Sequence, residues 1–429
     1  MARQAVVVGA GVAGLTAGWR LAQAGWQVSI FEQQNCIGGL LAGPTVAGVN
    51  CDLGAHRLHR AALRVAAVAD VARTAPLEPR QRQGKIVLRG QQLNYPLSPL
   101  GLMRGLGLTD GLRFAADFVR APRWQAHGRA DTDVGFAQFV QRRAGLAAYT
   151  AFYEPYARKV WGLDPAELSQ TCAKQRLSTA APWRALTGSA QRHQFWVPRG
   201  GFAMFIEQLR SKCLGLGVSL HLATPVPAAA LQGADAVLDS GHLQRHAPEL
   251  LCDHKGLHLL WLQVDGPALA DVDTWYCPEL QFAFGRVTQV SHFCPPQPDQ
   301  PRLLCVEIPQ GSWGDSVQWA AHIAVLSAQL RQAGIVAASN HLRLRQQHFL
   351  PRVYPLHRRG WRATWQAAMA AAVADGKTLP IGRQGLWLHC NLDQAMHTAE
   401  RAVAQVVAGQ PAAAWAETAK QFLELQVRD

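Results

Sequence analysis

Residues 9–14 read Gly-Ala-Gly-Val-Ala-Gly, and their flanks constrain the chain more than any other feature. Residues 5–8 are a short apolar run of β type, 15–24 have helical spacing closed by Gly25, and 28–31 form a second apolar run. Strand, glycine turn, helix and strand make a βαβ unit. In that setting each glycine has a task. Gly9 permits the tight turn, Gly11 lets a pyrophosphate approach the backbone, and Gly14 lets helix and strand pack closely. The helix start, with Ala13 in its first turn, offers N–H donors and a partial positive charge. Glu32 ends the second strand, where a carboxylate accepts from ribose hydroxyls and repels a 2′-phosphate. The pattern predicts a bound dinucleotide, with NAD and FAD both open at this stage.

The chain has 429 residues, enough for two or three domain-sized units and a large core. Hydrophobic residues are 49% and charged residues 17%, a globular composition. The net charge of +13 suggests an anionic partner. Nucleic acid is not expected, because the basic residues are dispersed and no aromatic platform is interleaved with them. No apolar stretch reaches the length of a membrane span, and the N-terminus enters the first strand without a leader pattern. Nine scattered cysteines without a C-x-x-C pair argue against structural zinc or a disulfide framework and fit a reducing, cytoplasmic setting. His56 and His59 lack a third ligand at a useful spacing, so no metal is expected.

Further along, 99–120 and 134–158 have helical spacing and read as an inserted helical region. A Gly-Gly pair precedes a helix ending near 214, and 218–222 with 236–238 are short buried strands. Runs 257–264 and 302–308 fit a second, mixed sheet; 319–333 is helical, 379–388 reads as strand, and 393–408 as a long helix. There is no internal repeat.

Six residues past Glu32 stand Gly38-Gly39-Leu40, and then Asp52-Leu53-Gly54-Ala55-His56. A glutamate followed after five residues by a glycine pair resembles the extended fingerprint of the FAD-dependent amine oxidase and protoporphyrinogen oxidase superfamily, which favours FAD over NAD. The 52–59 segment is similar to the flavin-proximal segment of UDP-galactopyranose mutase. The resemblance continues through Tyr95-Pro96, the stretch 152–162, Leu168, Arg176, the stretch 197–201, Phe284-Gly285-Arg286, Tyr354-Pro355, Gly382-Arg383 and Asn391-Leu392-Asp393-Gln394. It spans nearly the whole chain in order.

The resemblance implies an α/β fold, with a Rossmann-like, GR2-type FAD-binding domain and an interleaved substrate domain of mixed sheet and helices. Residues 1–60, 196–245 and 375–429 would form the FAD-binding domain, and 61–195 and 246–374 the substrate domain. Beside the glycine loop and Glu32, it implies that Gly38, Gly39, Leu40, His56, Val226, Gly382, Arg383, Asn391, Leu392 and Asp393 hold FAD, with Val226 at the adenine and Gly382-Arg383 at the diphosphate. Lys159, Trp161, Arg176, Arg286 and Tyr354 would line the substrate cleft, with His56, Arg176, Arg286 and Tyr354 closest to the chemistry. Two departures stand out. The mutase's second cleft arginine is missing from Val287-Thr288-Gln289-Val290, and Asp239-Ser240-Gly241 replaces a Thr-x-Pro-like turn. The implied activity is hydride removal from a C–N or C–C bond of a small, anionic molecule onto flavin N5. The alternative is a non-redox sugar-nucleotide mutase; a flavin-bearing binding protein is the third class.

Overall fold

The computed structural model describes residues 3–95, 107–120, 134–174, 194–294, 299–313 and 318–425. The apolar run Gln4–Val8 forms the central strand (β1) of a five-stranded parallel sheet, ordered Thr378–Pro380, Ala236–Asp239, Gln4–Val8, Gln27–Phe31, Ser219–His221. Three separate stretches of chain thus supply one sheet. The helix Val12–Gln23 (α1) joins β1 to Gln27–Phe31 (β2) and packs along Leu392–Val407. Close packing explains two glycines of α1: a Cβ on Gly14 would stand 1.9 Å from the Gly9 carbonyl oxygen, and one on Gly18 would stand 2.6 Å from Ile30 Cδ1.

The second sheet has seven strands in the order His341–Pro355, His254–Asp265, Leu303–Pro309, Arg286–Gln289, Thr274–Tyr276, Lys85–Leu88, Gln91–Asn94. All neighbours are antiparallel except Thr274–Tyr276 against Lys85–Leu88, so the sheet is mixed. One face buries Trp275, Phe282 and Phe284 beneath the helix Trp319–Gln332. The sheet's inner strands and the Rossmann-like unit share a larger core, in which Trp261, Trp365, Trp387 and Trp415 are fully buried.

Two local expectations are corrected. The apolar stretch 379–388 is not a strand: pairing stops at Pro380 and a single helical turn, Gly382–Gly385, follows. Gly382 has φ +71° and lies against Ala13, where a Cβ would come within 2.7 Å, so the chain turns under α1 instead of extending. Leu386 and Leu388 are buried because this turn is enclosed, which gives strand-like apolarity without a strand. The continuous helix over 134–158 is also broken. Gly145, at φ +85°, ends Phe136–Ala144, and the chain resumes through Leu146–Ala148 and a wider turn into Glu154–Trp161. No helix among the described residues is long and apolar enough to cross a membrane.

Candidate dinucleotide groove and adjoining chamber

The groove opens at the carboxyl end of β1. Gly9, at φ +91°, ends the strand, and Gly11 precedes α1 without any side-chain cap, so the first-turn N–H groups of the helix are not taken by a capping side chain. The second glycine pair lies directly against this turn. Gly38 forms a parallel bridge with Gly11 and donates its N–H to the Ala10 carbonyl at 2.9 Å, and a Cβ on Gly39 would reach 3.3 Å from Gly11 Cα. Side chains there would fill the space above the helix start. Glu32 is buried at one side, Oε2 accepting from Ala10 N–H at 2.8 Å and Oε1 from Gln34 N–H at 2.9 Å. Each oxygen keeps a second lone pair for a hydroxyl. Val226 packs with Phe31, Val6, Val8 and Val237 at the same side, and Phe31 stacks on His221.

The late segment closes the opposite wall. Gly382 N–H donates to Thr398 Oγ1 at 2.8 Å, which fixes the turn on the helix Leu392–Val407. That helix starts with a capping box: the Asn391 side chain accepts from the Gln394 backbone, and Gln394 Oε1 accepts from Asn391 N–H at 2.9 Å, with Asp393 in the first turn. The residues present therefore fit a dinucleotide, with uncapped helix donors, a glycine-on-glycine contact and a buried carboxylate with free lone pairs. Arg383 also ties this wall to the second sheet. Its guanidinium donates to the carbonyls of Val353 and Cys390 and contacts His389 Nδ1, so it ties the long edge strand to the 389–391 loop.

The loop 52–59 leads from the groove to a candidate chamber at the second sheet, marked by the partly buried polar side chains of His56, Arg57 and Arg286. His56 Nε2 meets the Leu40 carbonyl at 3.1 Å, and because a carbonyl only accepts, Nε2 carries the proton. Burial, followed by the neighbouring Arg286, Arg383 and Arg57, pushes the imidazole down to about 3. His56 is a neutral ring with its Nδ1 lone pair free of the Leu40 contact. Asp52, 7% exposed, is bonded to the Phe202 N–H at the start of Phe202–Leu214, with Cys294 Sγ at 4.0 Å, and burial raises it to about 7.

Arg286 faces this loop. Its Nε and Nη2 donate to Glu307 Oε1 at 2.7 Å and Oε2 at 2.8 Å. Burial opposes its charge, but Glu307, Tyr354 and Tyr276 hold its pKa well above the usual value. Gly54, at φ +93°, makes room for the pair, since a Cβ would lie 3.0 Å from Glu307 Oε1. Tyr354 is buried at the end of the long edge strand, tilted against His389. Arg57 is buried between Phe195 and Phe293 and donates to Asp273 at 2.8 Å and Thr274 at 2.7 Å.

Of the expected cleft residues, Arg286 and Tyr354 join His56. Lys159 does not offer its charge to the chamber: it is 4% exposed, and Nζ donates to the carbonyls of Cys277 (2.7 Å), Phe284 (3.1 Å) and Glu279. Trp161 is a core residue set edge-on to Phe136. Arg176 lies outside the described residues. Sequence reasoning missed Glu307, Asp52, Arg57 and Asp273. Glu307 had one signal, as the lone carboxylate in an otherwise apolar strand.

A family of NAD(P)-binding Rossmann-like domains matches residues 7–70. A Mycobacterium tuberculosis protein named for a flavin-containing monoamine oxidase is 28% identical over 275 residues, 61% of this chain and 59% of that protein. Protoporphyrinogen oxidase 2 of Arabidopsis thaliana is 25% identical over 173 residues, 39% of this chain and 34% of that enzyme. The match thus spans about three-fifths and one-third of these relatives' lengths. Among solved structures, reduced UDP-galactopyranose mutase superposes with a TM-score of 0.79 at 18% identity, covering 95% of this chain and 94% of that one. The chain is thus similar in sequence, over part of its length, to proteins named as a flavin-containing monoamine oxidase and a protoporphyrinogen oxidase, and it shares the α/β fold of the mutase.

Proposed function

We propose that this chain is an FAD-dependent oxidoreductase that removes a hydride from a C–N or C–C bond of a small molecule. The observation that carries the reading is the contact of Gly11 with Gly38 and Gly39 at the uncapped start of α1, with Glu32 on one side and His56 anchored to Leu40 on the other. FAD, when bound, supplies the hydride acceptor. The protein's own contribution is binding and orientation. The α1 start and the glycine crossing hold a diphosphate, Glu32 holds ribose hydroxyls, and Val226 covers the adenine side. In the chamber, neutral His56 offers an acceptor nitrogen, while Arg286 and Tyr354 offer donors that position a polar substrate. No obligatory base is needed if the donor is an amine in its neutral form.

A sugar-nucleotide mutase is the second reading, suggested by the fold likeness. It needs cations for a diphosphate, and here Lys159 is held on carbonyls and Arg286 on Glu307, which favours the oxidoreductase. The anionic substrate expected from the sequence now rests on Arg176. Nine free thiols fit a reducing compartment, the cytoplasm. The test is twofold. Purified protein should be yellow and release FAD on denaturation, and anaerobic mixing with primary and secondary amines should bleach the oxidised flavin. Release of FMN alone, a colourless protein, or conversion of UDP-galactopyranose only after dithionite reduction, with no bleaching, would overturn the reading.

A further inference from the structure

Every residue of the strand Leu303–Pro309 is buried, and a carboxylate in its middle is costly unless it is paired. Glu307 is 2% exposed and stands in register opposite Arg286 on the neighbouring strand. The pair is bidentate and nearly closed to water, with Arg286 16% and Glu307 3% exposed by side chain. It lies beneath Gly54, two residues before His56, so it forms part of the chamber wall. The nearby Arg57 is paired with Asp273 through a single Nη2 contact of 2.8 Å. Of the three guanidiniums that act on His56, Arg286 and Arg57 are therefore each balanced by a carboxylate, while Arg383 is held on backbone carbonyls and His389.

A guanidinium has five N–H donors, and a bidentate carboxylate uses two, so Arg286 keeps donors for an oxygen acceptor. Its charge, however, is already balanced. A phosphate or carboxylate entering here would meet the attraction of Arg286 together with the repulsion of Glu307 a few ångströms away, at low dielectric where both are strong. An uncharged carbonyl, amide or hydroxyl meets only the donors. We infer that Glu307 sets the charge preference at Arg286: by neutralising that guanidinium it turns the Arg286 side of the chamber toward uncharged polar groups and away from anions. This deepens the oxidoreductase reading and rests on it for the identity of the chamber.

The test uses FAD-saturated protein titrated with sodium pyrophosphate and with UDP at constant ionic strength, followed by calorimetry and by perturbation of the flavin spectrum. Wild-type protein should show no saturable binding tighter than about 1 mM. Glu307→Gln keeps the shape and one acceptor for Arg286 while exposing its charge, and should bind pyrophosphate at least about tenfold more tightly than wild type. Adding Arg286→Met should abolish the gain. Damage to the fold would not create a new anion site, so a gain separates charge control from a merely structural role. Wild-type binding of pyrophosphate or UDP below about 1 mM, or a folded Glu307→Gln protein that gains nothing, overturns the inference. Should Glu307→Gln not fold, the wild-type titration decides alone. None of these measurements involves flavin reduction, so their failure leaves the oxidoreductase reading standing, and failure of that reading leaves the calorimetry interpretable.

Discussion

Replacing Lys159 by Met removes an ammonium from the interior while keeping most of its stem volume. The three carbonyls that accept from Nζ, those of Cys277, Glu279 and Phe284, come from the turn between the strands Thr274–Tyr276 and Arg286–Gln289. Hydrogen bonds to a charged group contribute about 1.5–3 kcal/mol each, so three contribute roughly 5–9 kcal/mol. Burial opposes them: it lowers the amine from 10.5 to about 8, equivalent to roughly 3 kcal/mol against the charged form. The difference is a net stabilisation of ~2–6 kcal/mol, since at pH 7 the group is still charged. Urea unfolding at pH 7 should therefore show the Lys159→Met midpoint lowered by about 1 M, for a slope near 3 kcal/mol/M, with the slope unchanged. FAD bound per folded chain should stay close to wild type. A variant with the wild-type midpoint and a raised KM would place the ammonium in the substrate cleft and refute the structural assignment.

Asp52→Asn tests the raised carboxyl. The folded pKa of about 7 exceeds the unfolded 3.8, so the folded state binds more protons between those values, and the group's contribution is full below 3.8 and lost as pH rises through 7. The variant should gain stability relative to wild type as pH rises from 4 to 8, by up to about 4 kcal/mol; a difference in urea midpoint that stays flat over this range would count against it. Glu32→Ala should weaken FAD retention by roughly 1.5–3 kcal/mol, read as a rise in Kd of about 10- to 150-fold by equilibrium dialysis. Unchanged retention would remove Glu32 from the ribose site.

The βαβ opening was legible because its information is local. A strand, three glycines with sterically distinct tasks, a helix and a terminal carboxylate occupy residues 4–32, and the structure brings Gly9, Gly11, Gly14 and Glu32 together as that spacing requires. The helix beginning at Leu392 was legible for the same reason, its cap being written in Asn391 and Gln394. What misled was apolarity without direction. Residues 386–388 are apolar because an enclosed turn buries them, and a hydrophobic run does not distinguish a buried turn from a buried strand.

The charges divide in the same way. From sequence, Lys159 and Arg286 were two cations implied for one cleft, and nothing in their own segments named their partners. Glu307 is 21 residues from Arg286, and the carbonyls that hold Lys159 are 118 to 125 residues away from it. Such pairings depend on which strands become neighbours and in what register. A one-residue slip of Arg286–Gln289 against Leu303–Pro309 would turn Glu307 to the other face and leave both charges buried alone. By itself the sequence determined the fold class, the dinucleotide turn and the residue types available to the chamber. The tertiary structure decided which of those residues still carry a net charge there, because burial and long-range pairing set the charge of a site, and both arise only once the two sheets have packed.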